Sequence, residues 1–150
     1  LKVNKLIAFV AHGFAVEDSP VVASVIETLG QSGVSVLTGE RYEARGVNEK
    51  IKDRIAASGL FVALMTRRHY IEDAHAWTTS AWVIEEKGYS LGQNPNRPVL
   101  ALVEEGISVP TDTGGLEGDL EIVWFNRGQF HIAEEKLRQV LTHLMSKQTV

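Results

Sequence analysis

A chain of 150 residues has room for one ordinary domain, and its 44% apolar and 23% charged residues are the balance of a self-folding globular protein, which excludes disordered and fibrous classes. Net charge is -4 and no basic run exceeds Arg67-Arg68, so direct nucleic-acid binding has no electrostatic footprint. Cysteine is absent, which removes disulfides, thiolate nucleophiles and Cys-based metal sites together.

The first element is the continuously apolar run Leu6 to Ala11, short and rich in strand formers, which predicts a strand buried on both faces of a parallel sheet. It ends at His12-Gly13-Phe14. Asp18-Ser19-Pro20 then offers an N-cap candidate and a proline at the first helical position, with Val22, Val25, Ile26 and Leu29 at helical spacing up to Gly33. Val34 to Leu37 predicts a second strand, and the polar stretch Thr38 to Gly46 a long loop. A helix is expected from about Asn48 to Ala57, with Val47, Ile51 and Ile55 aligned.

Leu60 to Met65 repeats the buried-strand pattern, and the segment from Arg67 to Thr79 leads into a helix holding Trp82 and Glu86. Val99 to Val103 and Glu121 to Phe125 complete five strands. Between them, Glu104 to Leu120 reads as an irregular connection, rich in Gly, Pro, Thr and Asp. Leu137, Val140, Leu141 and Leu144 form the apolar stripe of a closing helix.

Strands alternating with helices predict one α/β domain spanning 1–150, with its core from about 5 to 145. The sheet is expected to be parallel and five-stranded, in the flavodoxin-like order 2-1-3-4-5, with helices on both faces. Ligands are expected beyond the carboxyl ends of the strands. The longest apolar runs fall far short of the roughly 20 residues a membrane helix needs, and no signal peptide is visible, so the expectation is a cytoplasmic protein with no membrane partner. Leu1 in place of a methionine points to a segment of a longer protein.

The most informative pair is Trp82 and Glu86. Four residues apart on a helix, an indole and a carboxylate share one face and can line one side of a pocket. Glu85 competes for the role, because Ile84, Gly88 and Leu91 read as the core seam and Glu85 lies angularly close to it; the spacing to Trp82 favours Glu86. By base rate a helix glutamate is a solvated surface charge, and Trp82 and Trp77 have the alternative of simply packing on the sheet. His12 is placed either to contact a ligand or to cap the strand end. The five histidines show no metal-ligand spacing, so no metal is expected.

Known chemistries on such a sheet are poorly matched. A phosphorelay receiver has an acidic cluster after the first strand and an aspartate ending the third, where this chain has Ala11-His12-Gly13 and Thr66. The loop His12 to Asp18 lacks the hydroxyl-rich phosphate loop of a flavodoxin, and no Gly-x-Gly-x-x-Gly fingerprint is present.

In order and spacing the parts resemble a Toll/interleukin receptor (TIR) domain from about Leu6 to Leu144. Leu6 to His12 is similar to that family's first strand, Gly33 to Val36 to its second, and Thr38 to Gly46 to its BB loop. Ser58 to Thr66 resembles its third strand, Ser80 to Glu86 its Trp-x-x-x-Glu helix, and Arg97 to Leu102 its fourth strand. The resemblance implies an NAD+ nucleosidase with Glu86 as the catalytic residue, NAD+ as substrate and no cofactor. The resemblance is to the prokaryotic enzymes that deplete NAD+ during anti-phage defence, which implies activation by self-association through TIR contacts and a sensor domain or partner protein that drives it.

Around Glu86 the resemblance implies substrate contacts from His12, Gly13, Phe14, Trp77 and Trp82, with Tyr42 and Arg45 in the BB loop covering a ligand, contacting a neighbouring subunit or simply lying in solvent. Two departures stand out: Ala11, where many relatives have serine, and Gly13, where some animal relatives have a nucleotide-holding arginine. Nicotinamide leaves as a neutral base, so no general acid is required, and one ionised carboxylate can steady the oxocarbenium-like ribose. The alternatives are a non-enzymatic TIR scaffold and a nucleoside deoxyribosyltransferase, which also uses a glutamate at an N-glycosidic bond.

Overall fold

The computed structural model describes residues 5–39, 48–108 and 120–147. The main sheet is built from β1 (Ile7–Ala11), β2 (Ser35–Thr38), β3 (Leu60–Met65), β6 (Val99–Glu104) and β7 (Leu120–Phe125), all parallel, in the spatial order β2-β1-β3-β6-β7. Counted along the main sheet alone this is the expected 2-1-3-4-5 order. The numbering shifts because a small antiparallel hairpin, β4 (Tyr70–Ile71) and β5 (Ala76–Trp77), interrupts the connection after β3. That hairpin was not anticipated: strands of two residues are too short to leave a periodicity.

The α-helices among the described residues are α1 (Ser19–Gln31), α2 (Glu49–Ala56), α3 (Ala81–Gln93) and α4 (Phe130–Lys147). α1 and α4 cover one face of the sheet. There Ala8, Val10, Val62, Leu64, Leu100 and Leu102 pack against Val25, Leu29, Leu137 and Leu141. α2 and α3 cover the other, where Phe9, Phe61, Met65 and Val103 meet Ile51, Ile55, Val83 and Leu91. β3 and β6 are buried along their whole length, as continuous apolar strands between two helical layers must be.

Local signals set the helix ends. The Asn48 side chain accepts a hydrogen bond from the Ile51 amide at 3.0 Å and so caps α2. α1 stops where Gly33 takes φ +82°, a left-handed conformation that costs glycine little and lets the Val34 amide reach back to the Leu29 carbonyl at 3.0 Å. At the other end of α1 the cap residue is the expected one, without the expected bond. Asp18 occupies the cap position but makes no capping bond, because its carboxylate is turned into a buried ion-pair cluster.

The expected seam of α3 is also corrected. Its buried positions are Val83, Glu86, Lys87, Ser90 and Leu91, a regular i, i+3, i+4, i+7, i+8 stripe, whereas Ile84 and Gly88 are only partly covered. Arg97 explains part of this polar lining. Fully buried before β6, it donates to the Ser90 hydroxyl and carbonyl, to Gln93 Oε1 and to the Ser58 carbonyl, tying the end of α3 to the loop before β3.

Candidate active site

The packing of α3 decides between the two neighbouring glutamates. Glu85 points outward and is exposed, while Glu86 is fully buried. Glu86 sits on the side of the sheet covered by α2 and α3, under the carboxyl end of β2. A β-carbon placed on Gly39 would lie 3.7 Å from Glu86 Oε2, 4.0 Å from Trp82 Cζ2 and 3.0 Å from Ile51 Cδ1. The indole and the carboxyl thus converge on one point, as their four-residue spacing predicts, and Gly39 and Ile51 adjoin them. Nothing in the one-dimensional pattern marked those two residues.

Both carboxyl oxygens of Glu86 are buried without a hydrogen-bond partner among the described residues. A charge in that position is expensive. Burial pushes the Glu86 carboxyl up from its ordinary 4.5 to about 8, with the charge of Glu85 adding to the effect. At neutral pH the group is therefore mainly protonated, which revises the expectation of an ionised carboxylate for the unliganded chain. An unsatisfied buried carboxyl with a raised pKa is a feature that packing alone does not reward, and such groups concentrate at functional sites.

The other candidates are spread over the carboxyl rim. His12, Gly13 and Phe14 line a cleft of about 300 Å3 running along Ala15, Ser19, Val22, Ala23 and Ile26, on the α1 side of the sheet. The His12 ring nitrogen Nδ1 lies 2.7 Å from the Gly13 carbonyl and its ring packs edge-on to Phe14. No hydrogen bond joins these three to Glu86 among the described residues. Trp77 stands on the hairpin, 5.4 Å from the Tyr70 ring and 5.4 Å from the Arg67 guanidinium, centre to centre. Tyr42 and Arg45 lie outside the described residues, as does most of the connection expected between Glu104 and Leu120.

A second constellation went unnoticed in the sequence. Asp18 follows β1, Thr66 to Arg68 follow β3, Glu104 ends β6 and Arg127 follows β7, four strand ends brought side by side. Buried Asp18 accepts from Thr66 Oγ1 at 2.7 Å and from Arg127 Nη2 at 2.6 Å. Buried Glu104 accepts from the Arg67 amide at 2.9 Å and from Arg127 Nε at 2.8 Å. The Glu104 hydrogen bond, reinforced by Asp18, holds the Arg127 pKa above its ordinary range. The available signal was that each residue follows a strand's carboxyl end; their separation along the chain hid the grouping.

Among the described residues no group of three His, Asp or Glu side chains is placed to hold a metal ion, and no helix is long and apolar enough to cross a membrane.

No protein-family model matches the chain, and no curated protein matches it. Solved structures do. A CMP N-glycosidase from Clostridium botulinum superposes with a TM-score of 0.57 at 13% identity, covering 87% of this chain and 98% of that one. A diflavin flavoprotein A3 from Nostoc sp. gives 0.58 at 15% identity, covering 98% and 99%. A response regulator receiver protein from Sinorhizobium medicae gives 0.53 at 12% identity, covering 92% and 98%. The likeness is one of fold, flavodoxin-like α/β, shared by proteins whose names describe quite different chemistry.

Proposed function

We propose that the chain cleaves an N-glycosidic bond of a nucleotide at Glu86, and that it is a TIR-like NAD+ nucleosidase releasing nicotinamide. The observation that carries this reading is the Glu86 carboxyl, buried beside Trp82 with neither oxygen satisfied among the described residues. The order and spacing of TIR-like segments support the substrate, and a structural neighbour named as an N-glycosidase supports the bond type.

Glu86 is closed off and mainly neutral in the lone chain. A rearrangement must expose it before a ribose can approach, which is the behaviour expected of an enzyme that is silent alone and activated by self-association. In the engaged state, water reaching Glu86 would take up its proton before the bond breaks, and the resulting carboxylate would stabilise the oxocarbenium-like sugar as neutral nicotinamide departs. Water then adds to the sugar carbon and loses a proton, giving ADP-ribose. In the cell such an activity would deplete NAD+, as in anti-phage defence.

The protonation state favours a second reading. A carboxylic acid neutral at pH 7 can donate its proton to a leaving base that would otherwise depart as an anion, such as the cytosine of CMP. Nicotinamide has no such requirement. A TIR scaffold without chemistry remains the non-enzymatic alternative, and a deoxyribosyltransferase would exchange bases without touching NAD+.

The deciding experiment incubates the purified chain with NAD+ and, separately, with CMP, free and under enforced clustering, and separates the products by chromatography. Nicotinamide release that disappears in Glu86→Gln is the expected result. Cytosine release alone would move the assignment to the second reading, and no release from either substrate in any state would reject enzymatic function.

A further inference from the structure

The rim cluster lines an open cleft of about 490 Å3, bounded by Glu17, Asp18, Arg67, Arg68, Trp77, Glu104 and Arg127. Its three arginines are not equivalent. Arg127 is spent: Nε and Nη2 donate to Glu104, Nη2 also to Asp18, and Nη1 to the Glu17 carbonyl. Arg67 donates Nε to the Glu105 carbonyl at 2.6 Å and lies over the Trp77 ring.

Arg68 is different. Its Nη1 is paired with Asp18 Oδ2 at 3.0 Å, and the side chain is 21% exposed. Nε and Nη2 have no acceptor among the described residues. Nη2 occupies the space beside Gly13 in which any side chain at that position would have to sit. Glycine at 13 therefore makes room for a guanidinium supplied from the loop after β3. The buried carboxylates already have their donors, whereas Arg68, which lines the cleft, holds N–H groups in reserve.

The location adds to this. After β1 the chain turns to α1 on one face of the sheet, and after β3 to α3 on the other, so the adjacent carboxyl ends of β1 and β3 form the crevice where ligands of such sheets bind. Gly13 and Arg68 stand at that crevice. A guanidinium held at Nη1 by a carboxylate, with Nε and Nη2 lacking an acceptor among the described residues, has donors that suit the paired oxygens of a phosphoryl group. Glu17, exposed and lining the same cleft, opposes an anion, so affinity must come from Arg67 and Arg68.

The geometry points to this cleft as a phosphate-binding subsite for a nucleotide, with Arg68, held by Asp18 in the space left by Gly13, as the principal donor and Trp77 as a wall. The choice of a nucleotide rests on the proposed function; the anion site itself rests on the arginines.

The test measures binding of ADP, pyrophosphate and adenosine by calorimetry at fixed salt, using Glu86→Gln protein so that no turnover intervenes. Arg68→Gln is expected to weaken ADP and pyrophosphate roughly tenfold or more and to leave adenosine unchanged, with Arg68→Lys in between. Gly13→Ala is expected to weaken ADP similarly by evicting the guanidinium, and to add little in the Arg68→Gln background. A full additional loss there would mean that the methyl acts by blocking the ligand directly, and would overturn the Gly13 argument.

Unaltered ADP affinity in Arg68→Gln, or no ADP or pyrophosphate binding to the parent protein, would overturn the subsite. Circular dichroism checks the fold of each variant, and Arg68→Lys with Gly13→Ala carries the test if Arg68→Gln does not fold. Arg68-dependent ADP binding without nicotinamide or cytosine release would retain the subsite while rejecting the catalytic reading. Release with a KM indifferent to Arg68 would do the reverse.

Discussion

Gly39 stands over the carboxyl of Glu86: a β-carbon on that glycine would lie 3.7 Å from Oε2 and only 3.0 Å from Ile51 Cδ1. The space beside Gly39 is thus tight against the isoleucine and in ordinary contact with the acid and the tryptophan. Gly39→Ala would push the tip of Ile51 aside, at about 1 kcal/mol, the low end of overpacking costs. The loss of activity should exceed what that destabilisation explains, because the methyl narrows the approach to Glu86. Urea denaturation measures the first quantity and nicotinamide release the second; equal activity in the variant would separate Gly39 from the site.

Glu86 should make the protein less stable as pH rises. Its pKa is about 8 in the folded chain against an ordinary 4.5, so between those values the folded state holds a proton that the unfolded state has lost. The stabilising contribution is complete below about pH 4.5 and gone above about pH 8, amounting to at most about 5 kcal/mol. Glu86→Gln removes the titration. Its stability relative to the parent should therefore increase with pH across this window, and parallel stability-pH profiles would contradict the buried, unsatisfied placement.

The pH dependence of kcat/KM separates the two leaving groups. If Glu86 must be ionised to stabilise the ribose cation, the rate on NAD+ rises with pH and levels off above about 8. If it must be protonated to release a base such as cytosine, the rate falls through the same region. A profile flat from pH 6 to 9, with substrate shown to bind throughout, would exclude Glu86 as a general acid and would mean that the active form has relieved the burial that raises its pKa.

The rim ion pairs should matter to folding more than exposed pairs do. Arg127→Ala strips a partner from both Asp18 and Glu104, which are 2% and 4% exposed, and leaves their buried charge to Arg68 and to the more distant Arg67 alone. Roughly 3 kcal/mol or more should be lost, with little dependence on salt because the carboxylates are shielded from it. A urea midpoint unchanged from the parent would mean that these carboxylates find water or protonate on losing Arg127.

The architecture was largely legible in the chain. Leu60 to Met65 matches β3 residue for residue, and Asn48, Gly33 and the stripe at Leu137 and Leu141 mark helix boundaries and the core face of α4 where sequence reasoning placed them. These features depend on neighbours within a few residues, so local pattern suffices. The hairpin at 70–77 escaped because its strands are too short to show a period. The seam of α3 escaped because only Val83 and Leu91 among its five buried residues are apolar; with Glu86, Lys87 and Ser90 on the inner face, hydrophobicity could not set the helix's rotation.

By itself the sequence determined a parallel α/β sheet flanked by helices and put Trp82 and Glu86 on one helical face, since both follow from periodicities of two and 3.6 residues. Tertiary structure alone decided that Glu86 rather than Glu85 is enclosed, that its carboxyl is driven towards neutrality, and that Asp18, Arg68, Glu104 and Arg127 meet. Those outcomes depend on which strand ends become neighbours and on how much water is removed between them, and neither quantity is encoded in any short stretch of chain.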